Sequence, residues 1–508
     1  MRRLISLVVL CLSTSPAFAG GKDGKVVLEL WDAAYLGEGK AGYVHTIAKE
    51  IDRDGKKLIL TTVELRLTVK RFNDTVQMSM DTGSTETLDG KVVGVFLRQY
   101  LGKQQQMAID GLVVGDEIRF TVNGDKPLTP NPWNDEVLGL FKQQSLYRDH
   151  DLKPGDTFSY LSFEPTINVV VKTGVTVKGF REVEIKGAKK KRKLLLVESI
   201  PEKIEYKRGP DKVEKIQLPI SLTWLDEKLE PVKTEVEIPN LGPIVMYRTT
   251  KAEALAPGPI ASLDIGYNQL VRLKNRVLNP HATTAAVFRI TLRKYEDVAS
   301  AFSEDDRQQV KKVQGNTFEL HVKSNRGSMG EVAEKPPAAE FLQSSYFINS
   351  DDAKVKELAR KAVGDATDPW KKALRIERWV HDHMRFTNDD NLATADHVAV
   401  TLTGDCSEYA MLTAAMCRAE RVPSRTALGL VYAEVKSAPY FGFHMWTEVW
   451  IKGRWIPIDA TLHQGFVGAM HLKITDHSWH DERTMTPIFP VIRVVGRVSI
   501  EVLSAENR

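Results

Sequence analysis

From about Lys25 to Leu255 the apolar runs are short, alternate with polar residues and end at turn dipeptides. This pattern constrains the fold more than any other feature, because residues two apart share a strand face. Residues 26–31, 57–63, 65–69 and 91–97 read as strands, with Asp54-Gly55, Asp89-Gly90 and Asn123-Gly124 as turns. A short helix is expected over 135–146, and strands resume at Phe158, 167–171 and 194–197. The alternation predicts antiparallel sheets that bury their own core, in a β-rich N-terminal region over 20–255. Residues 86–92 and 223–228 each carry an extended pair joined by an acidic turn. That fits two similar sheets, and equally a chance likeness of hairpins.

The chain opens with Met1-Arg2-Arg3, an apolar run over 4–12, and Ala17-Phe18-Ala19. This is the layout of a signal peptide cut after Ala19, and it predicts export to a periplasmic or extracellular space. No later apolar stretch approaches the ~18 residues of a membrane span, so no transmembrane segment is expected. The formal charge is only +4 in 508 residues, which argues against a nucleic-acid partner. Residues 189–193 (Lys-Lys-Lys-Arg-Lys) form the strongest charge run. They read as a solvated hairpin loop, or as a contact for an anionic surface.

Residues 254–262 are rich in Ala, Pro and Gly and make the best linker candidate. A small β domain is expected over 263–345, with strands at 285–292 and 317–322. Ser350 then caps a helix ending near Gly364, and Asp368-Pro369 opens a second running to about Arg385. The tail over 476–508 is expected to supply one or two closing strands.

Three residues in the C-terminal part carry the chemistry. In Asp405-Cys406-Ser407-Glu408, Asp405 reads as an N-cap and Glu408 completes a capping box, so Cys406 is the first residue of a helix. Unpaired backbone N–H groups and the helix dipole favour a thiolate there and could hold an oxyanion. Cys417, eleven residues on, lies roughly 16 Å along the axis, beyond disulfide reach, and reads as packing. Further on, Lys452-Gly453 is a turn signal between two strand-forming runs. With those two residues in the turn, Ile451 pairs with Arg454 and Trp446 with Asp459. His444 and Asp459 then become diagonal neighbours on one face. A one-residue slip would put them on opposite faces.

These blocks resemble the transglutaminase-like superfamily, whose Cys, His and Asp occur in this order. The resemblance rests on Gly404-Asp405-Cys406-Ser407-Glu408-Tyr409, Arg418-Ala419 with Val422-Pro423-Ser424-Arg425, His444-Met445-Trp446-Thr447-Glu448-Val449, and Trp455-Ile456-Pro457-Ile458-Asp459-Ala460-Thr461. One departure is Ala460, where many relatives have Pro. The resemblance implies a multidomain chain with an α+β, papain-like catalytic core over 350–475. It also implies an exported bacterial thiol enzyme. Cys406 is its nucleophile, His444 its base and acid, and Asp459 the orienter of the imidazole. Trp446 and Asp405 are candidates for the substrate cleft. The expected reaction forms an acyl-thioester on a protein or peptide amide, cell-wall peptide included, and hydrolyses it. A transglutaminase cross-link and an inactive binding module are the alternatives. No cofactor and no metal is expected: His381 and His383 project about 200° apart on a helix, and His477 and His480 have no evident third ligand. The oligomeric state is open.

Limited proteolysis is expected to cut near 254–262 and leave two folded pieces, with thiol reactivity in the C-terminal one. Resistance there, with an unfolded C-terminal piece, would show that the sheets belong to the catalytic unit.

Overall fold

The computed structural model describes residues 24–507 except 72–73, 102–104, 124–129, 208–212, 239–241, 259–269, 294–297, 326–335, 388–391, 481 and 483–485. Residues 1–19, expected to be a signal peptide, lie outside the described residues.

The alternating N-terminal segments build one large 15-stranded sheet, beside a separate two-stranded ribbon of Ile204–Lys207 and Val213–Ile216. A first run of antiparallel strands leads from Lys25–Leu36 out to Asn131–Pro132. A second run returns to Gly242–Thr249, which pairs antiparallel with Lys25–Leu36 and joins the halves. The segments 57–63 and 65–69 fuse into one strand, Lys56–Arg71, because no turn residue separates them. The sheet bends so that its two ends face one another. Phe163, from the returning run, stacks on Phe120 and packs on Trp133, while Asn131 Nδ2 donates to Asn168 O at 3.1 Å. Of the charge run, residues 189–191 lie in the exposed connection between Val169–Val183 and Arg192–Pro201, and Arg192 and Lys193 are the exposed first residues of the second strand.

The helix expected over 135–146 forms at Leu140–Asp149 instead. Val137–Leu138 is taken by a parallel pairing with Thr157–Glu164, which delays the helix start. Gly139, at its N-cap, has no side chain to satisfy the first N–H groups. A distant strand does so. Leu140 N donates to Ser84 Oγ at 2.8 Å, and Phe141 N and Lys142 N donate to the two carboxylate oxygens of fully buried Glu86 at 2.8 and 3.2 Å. A Cβ at Gly139 would sit 2.1 Å from the Glu86 side chain, so glycine is required.

Residues 251–256 are docked structure, which shortens the expected linker. Lys251–Leu255 is a short helix capped by Thr250, and Lys40 Nζ holds the carbonyls of Glu253 and Ala256 at 2.6 and 2.5 Å. Beyond the residues that follow, one continuous hydrophobic core runs from Val271 to Ile500. It serves both a four-stranded and a five-stranded sheet, so the small β domain and the α+β unit share an interior. The four-stranded sheet has the order Gln308–Gln314, Thr317–Lys323, Thr283–Leu292, Val498–Asn507. The tail thus gives one strand to the small sheet, preceded by the helix Phe489–Val494, whose Pro490 sits in the first turn.

In the α+β unit the first two helices follow their caps. Asp352 rather than Ser350 caps Ala353–Val363, which stops at Gly364. Asp368 caps Pro369–His383, whose Ala373, Ile376, Trp379 and Val380 face the core. The large sheet touches this unit where Asn123 Nδ2 donates to Tyr346 Oη at 3.2 Å.

Glu86→Ala is expected to uncap the Leu140–Asp149 helix and cost about 1–3 kcal/mol, the penalty for orphaned buried donors. A lower thermal midpoint for the N-terminal region checks this; an unchanged midpoint would mean that water replaces the carboxylate.

Candidate active site

The helix Cys406–Ala419 is buried from Cys406 to Arg418, which places it at the centre of the unit. Its start is built as the capping box requires. Asp405 Oδ1 accepts from Ser407 N at 2.9 Å, and Glu408 Oε2 accepts from Asp405 N at 2.9 Å. Glu408 Oε1 also accepts from Ala393 N at 2.8 Å, tying the helix start to the preceding segment. Gly404 has φ +152°, and a Cβ there would lie 2.3 Å from Glu408. Only glycine lets the box close.

The strand pair forms in the expected register. Ile451 faces Arg454, Trp450 faces Trp455 and Thr447 faces Ile458, with Lys452 and Gly453 at positive φ in the turn. His444 and Asp459 consequently meet, and His444 Nε2 donates to Asp459 Oδ2 at 2.7 Å. Thr447 Oγ1, on the same strand, donates to Ala410 O at 3.0 Å and pins the strand to the Cys406 helix. His444 acts on the Cys406 thiol and favours its ionised form, as does the backbone of Met445. With Nε2 engaged by Asp459, Nδ1 is the nitrogen left for sulfur. All three residues are enclosed: Cys406 is 7%, His444 4% and Asp459 1% exposed.

Opposing forces set the charges. Burial disfavours a charged imidazole, but the Asp459 charge and hydrogen bond outweigh it and lift His444 to about 10. Burial opposes ionisation of Asp459 too, yet His444 and a second histidine hold its carboxyl far below the usual range. Burial and then the Asp405 charge push the Cys406 thiol up, while His444 pulls it down. The helix start is therefore not enough to give a low-pKa thiol, because enclosure and the N-cap carboxylate work against it.

That second histidine is His471, which the sequence did not single out. Its Nε2 lies 2.9 Å from the same Asp459 Oδ2. It comes from the strand His471–His477, brought alongside by pairing with Ser424–Val435. Twelve residues and a loop separate it from Asp459, and no spacing rule marks it. Two other groups join the site unannounced. Glu377, 2% exposed on the Pro369–His383 helix, is pushed up to about 8, first by burial and then by the Asp459 and Asp382 charges. His281 is pushed down by burial beside Asp459 and His444.

The cleft candidates have other occupations. Trp446 is 1% exposed and packs between the rings of His444 and His471, at 6.2 and 5.3 Å between centroids. Asp405 spends Oδ1 on the helix cap. His381 donates to or accepts from neither partner of the site: its Nδ1 lies 2.9 Å from Ala460 O, and His383 Nδ1 lies 2.8 Å from Trp379 O. Among the described residues, His444, Asp459 and His471 form the one group close enough to hold a metal ion. Their 2.7 and 2.9 Å separations are those of hydrogen bonds, and a cation there would have to break both.

Fold and site together define an α+β thiol centre with a helix-borne cysteine and a strand-borne His–Asp pair. Residues 356–460 match the family model of the transglutaminase-like superfamily. No curated protein matches the chain. Several solved structures are similar. A candidate cysteine protease from Cytophaga hutchinsonii has 18% identity and a TM-score of 0.28, covering 45% of this chain and 84% of its own. A β-barrel-like protein of a domain of unknown function from Brucella abortus has 11% identity and a TM-score of 0.31, covering 45% and 98%. The periplasmic domain of TgpA from Pseudomonas aeruginosa, bound to ethylmercury, has 14% identity and a TM-score of 0.24, covering 36% and 91%. Among the described residues no helix is long and apolar enough to cross a membrane.

A small alkylating reagent is expected to modify Cys406 and spare Cys417, which is fully buried and whose thiol burial pushes far up. The rate at Cys406 should rise with pH as the thiolate forms. Because the His444 imidazolium lowers the thiol's pKa, His444→Ala should move that rise to higher pH. Equal, slow labelling of both cysteines would contradict an activated thiol.

Proposed function

We propose that the chain is an exported thiol enzyme that forms an acyl-thioester on a protein or peptide amide and hydrolyses it. The observation that carries this reading is the hairpin register, which brings His444 to hydrogen-bond Asp459, with Cys406 at the start of the central helix. Cys406 Sγ, kept ionised by the charged His444 imidazolium, attacks the carbonyl carbon. The N–H of Cys406, free at the helix start, stabilises the oxyanion. His444 then protonates the leaving amine as the C–N bond breaks, leaving the acyl-thioester. Water attacks that carbonyl, gives a proton to His444, and the thiolate is restored as the acid departs. Asp459 stays ionised throughout, orients the imidazole and stabilises its charged form.

One observation favours the cross-linking alternative. Cys406 is only 7% exposed, and a site that limits water lengthens the life of an acyl-thioester for a substrate amine. The large curled sheet supports a further part of the reading: a module separate in its strands and clusters from the thiol unit, suited to positioning a polymeric peptide substrate, with the 189–193 loop free for contact. The apparent signal sequence supports a periplasmic or extracellular site of action.

Cys406→Ala and His444→Ala are expected to abolish turnover of peptide amides, and Asp459→Ala to lower it about 10²-fold or more. Near-normal turnover by the Asp459 variant would remove that residue from the mechanism. A glutamine peptide supplied with and without a primary amine decides the fate of the intermediate. Amine incorporation faster than ammonia-releasing hydrolysis would make the chain a cross-linking enzyme.

A further inference from the structure

We infer that His471 is a positioning residue for this acyl transfer, holding the Asp459 carboxylate so that a single oxygen is presented to His444. The inference rests on the proposed reaction at Cys406.

The Asp459 carboxylate is fixed at both oxygens. Oδ1 accepts the backbone N–H groups of Thr461 and Leu462 at 2.9 and 3.2 Å. Oδ2 accepts from His444 Nε2 at 2.7 Å and from His471 Nε2 at 2.9 Å. With four donors in place the group cannot rotate without losing several bonds at once, and it is 1% exposed, so water cannot replace them.

His471 is suited to this task and to little else. It is completely buried, and its Nδ1 has no hydrogen-bond partner. The rings of Trp446 and His444 cross it edge to face at 5.3 and 5.8 Å. A neutral imidazole carries one N–H, and among the described residues the acceptor it meets is Asp459, so the proton resides on Nε2. The charged and titratable groups that act on it are Asp459, His444 and Arg307; burial dominates and pushes it down to about 4, so it stays neutral across the working range. A permanent neutral donor can share an oxygen with the imidazolium of His444 without repelling it. The same donor limits the freedom of Asp459 to swing away when His444 gives up its proton.

A packing role alone would need the ring's volume but not its N–H. Two substitutions separate these roles in the full-length chain. His471→Phe keeps a ring and removes the donor. His471→Gln places an amide N–H near the Nε2 position, whereas His471→Asn reaches only the Nδ1 position. The readouts are the pH profile of Cys406 alkylation and the kcat for peptide-amide turnover, with folding checked by thermal melting. We expect His471→Phe to lower kcat about tenfold, in line with the loss of an outer partner that orients a reacting imidazole. The alkylation limb should shift as well, with His471→Gln restoring most of both. If the Phe variant does not fold, Gln and Asn variants of equal melting temperature carry the test, and Gln should exceed Asn. An unshifted limb and unchanged kcat in folded His471→Phe would overturn the inference, as would a defect that Gln does not relieve. The control is His444→Ala. If it leaves Cys406 alkylation unchanged, the acyl-transfer reading itself fails; if it matters and the His471 variants do not, only the role of His471 is lost.

Discussion

Strand register is the constraint on which the C-terminal unit depends. Side chains alternate along a strand, so shifting Ala438–Ile451 by one position against Arg454–Ile458 would send His444 and Asp459 to opposite faces. The turn enforces the choice. Lys452 and Gly453 both adopt positive φ, the geometry of a tight two-residue hairpin, and this fixes which residues face each other. Thr447, on the same strand, reaches the Ala410 carbonyl and so transmits the register to the helix that carries Cys406. One turn therefore governs the distance between groups that lie 53 residues apart in sequence, Cys406 and Asp459.

Electrostatics in this unit are decided by enclosure as much as by partners. Asp459, His444 and His471 are each almost without solvent contact, so every charge present must be compensated on the spot. The same holds two residues along the strand from His471, where buried Lys473 meets Glu448 and Asp305. Gln308, from the small β sheet, donates to the Lys473 carbonyl at 2.7 Å and accepts from its N–H at 2.9 Å. These contacts knit the four-stranded sheet to the five-stranded one.

What could be read from the sequence was whatever is encoded locally. The capping box at Asp405 and Glu408, the cap at Asp368 and the hairpin at Lys452-Gly453 each lie within a few residues, and each formed as expected. The helix over 135–146 moved because its cap comes from Ser84 and Glu86, more than fifty residues away. His471 stayed hidden for the same reason: its meaning lies in a partner strand, Ser424–Val435, that carries it to Asp459. Whether the N-terminal strands made one sheet or two depended on a single long-range pairing, Lys25–Leu36 with Gly242–Thr249, which no local pattern reports. The tail looked like strands throughout, but Pro490 instead starts a helical turn there.

The strand Val498–Asn507 lies antiparallel to Thr283–Leu292, so this pairing closes a loop of about two hundred residues that contains Cys406, His444, Asp459 and His471. Ile500 and Phe288 belong to the same core as the Cys406 helix. During synthesis, the chain could have made the helix and the hairpin long before this last strand emerged, yet their shared interior would lack one wall. Assembly of a reactive cysteine centre is thereby deferred until nearly the whole polypeptide is available.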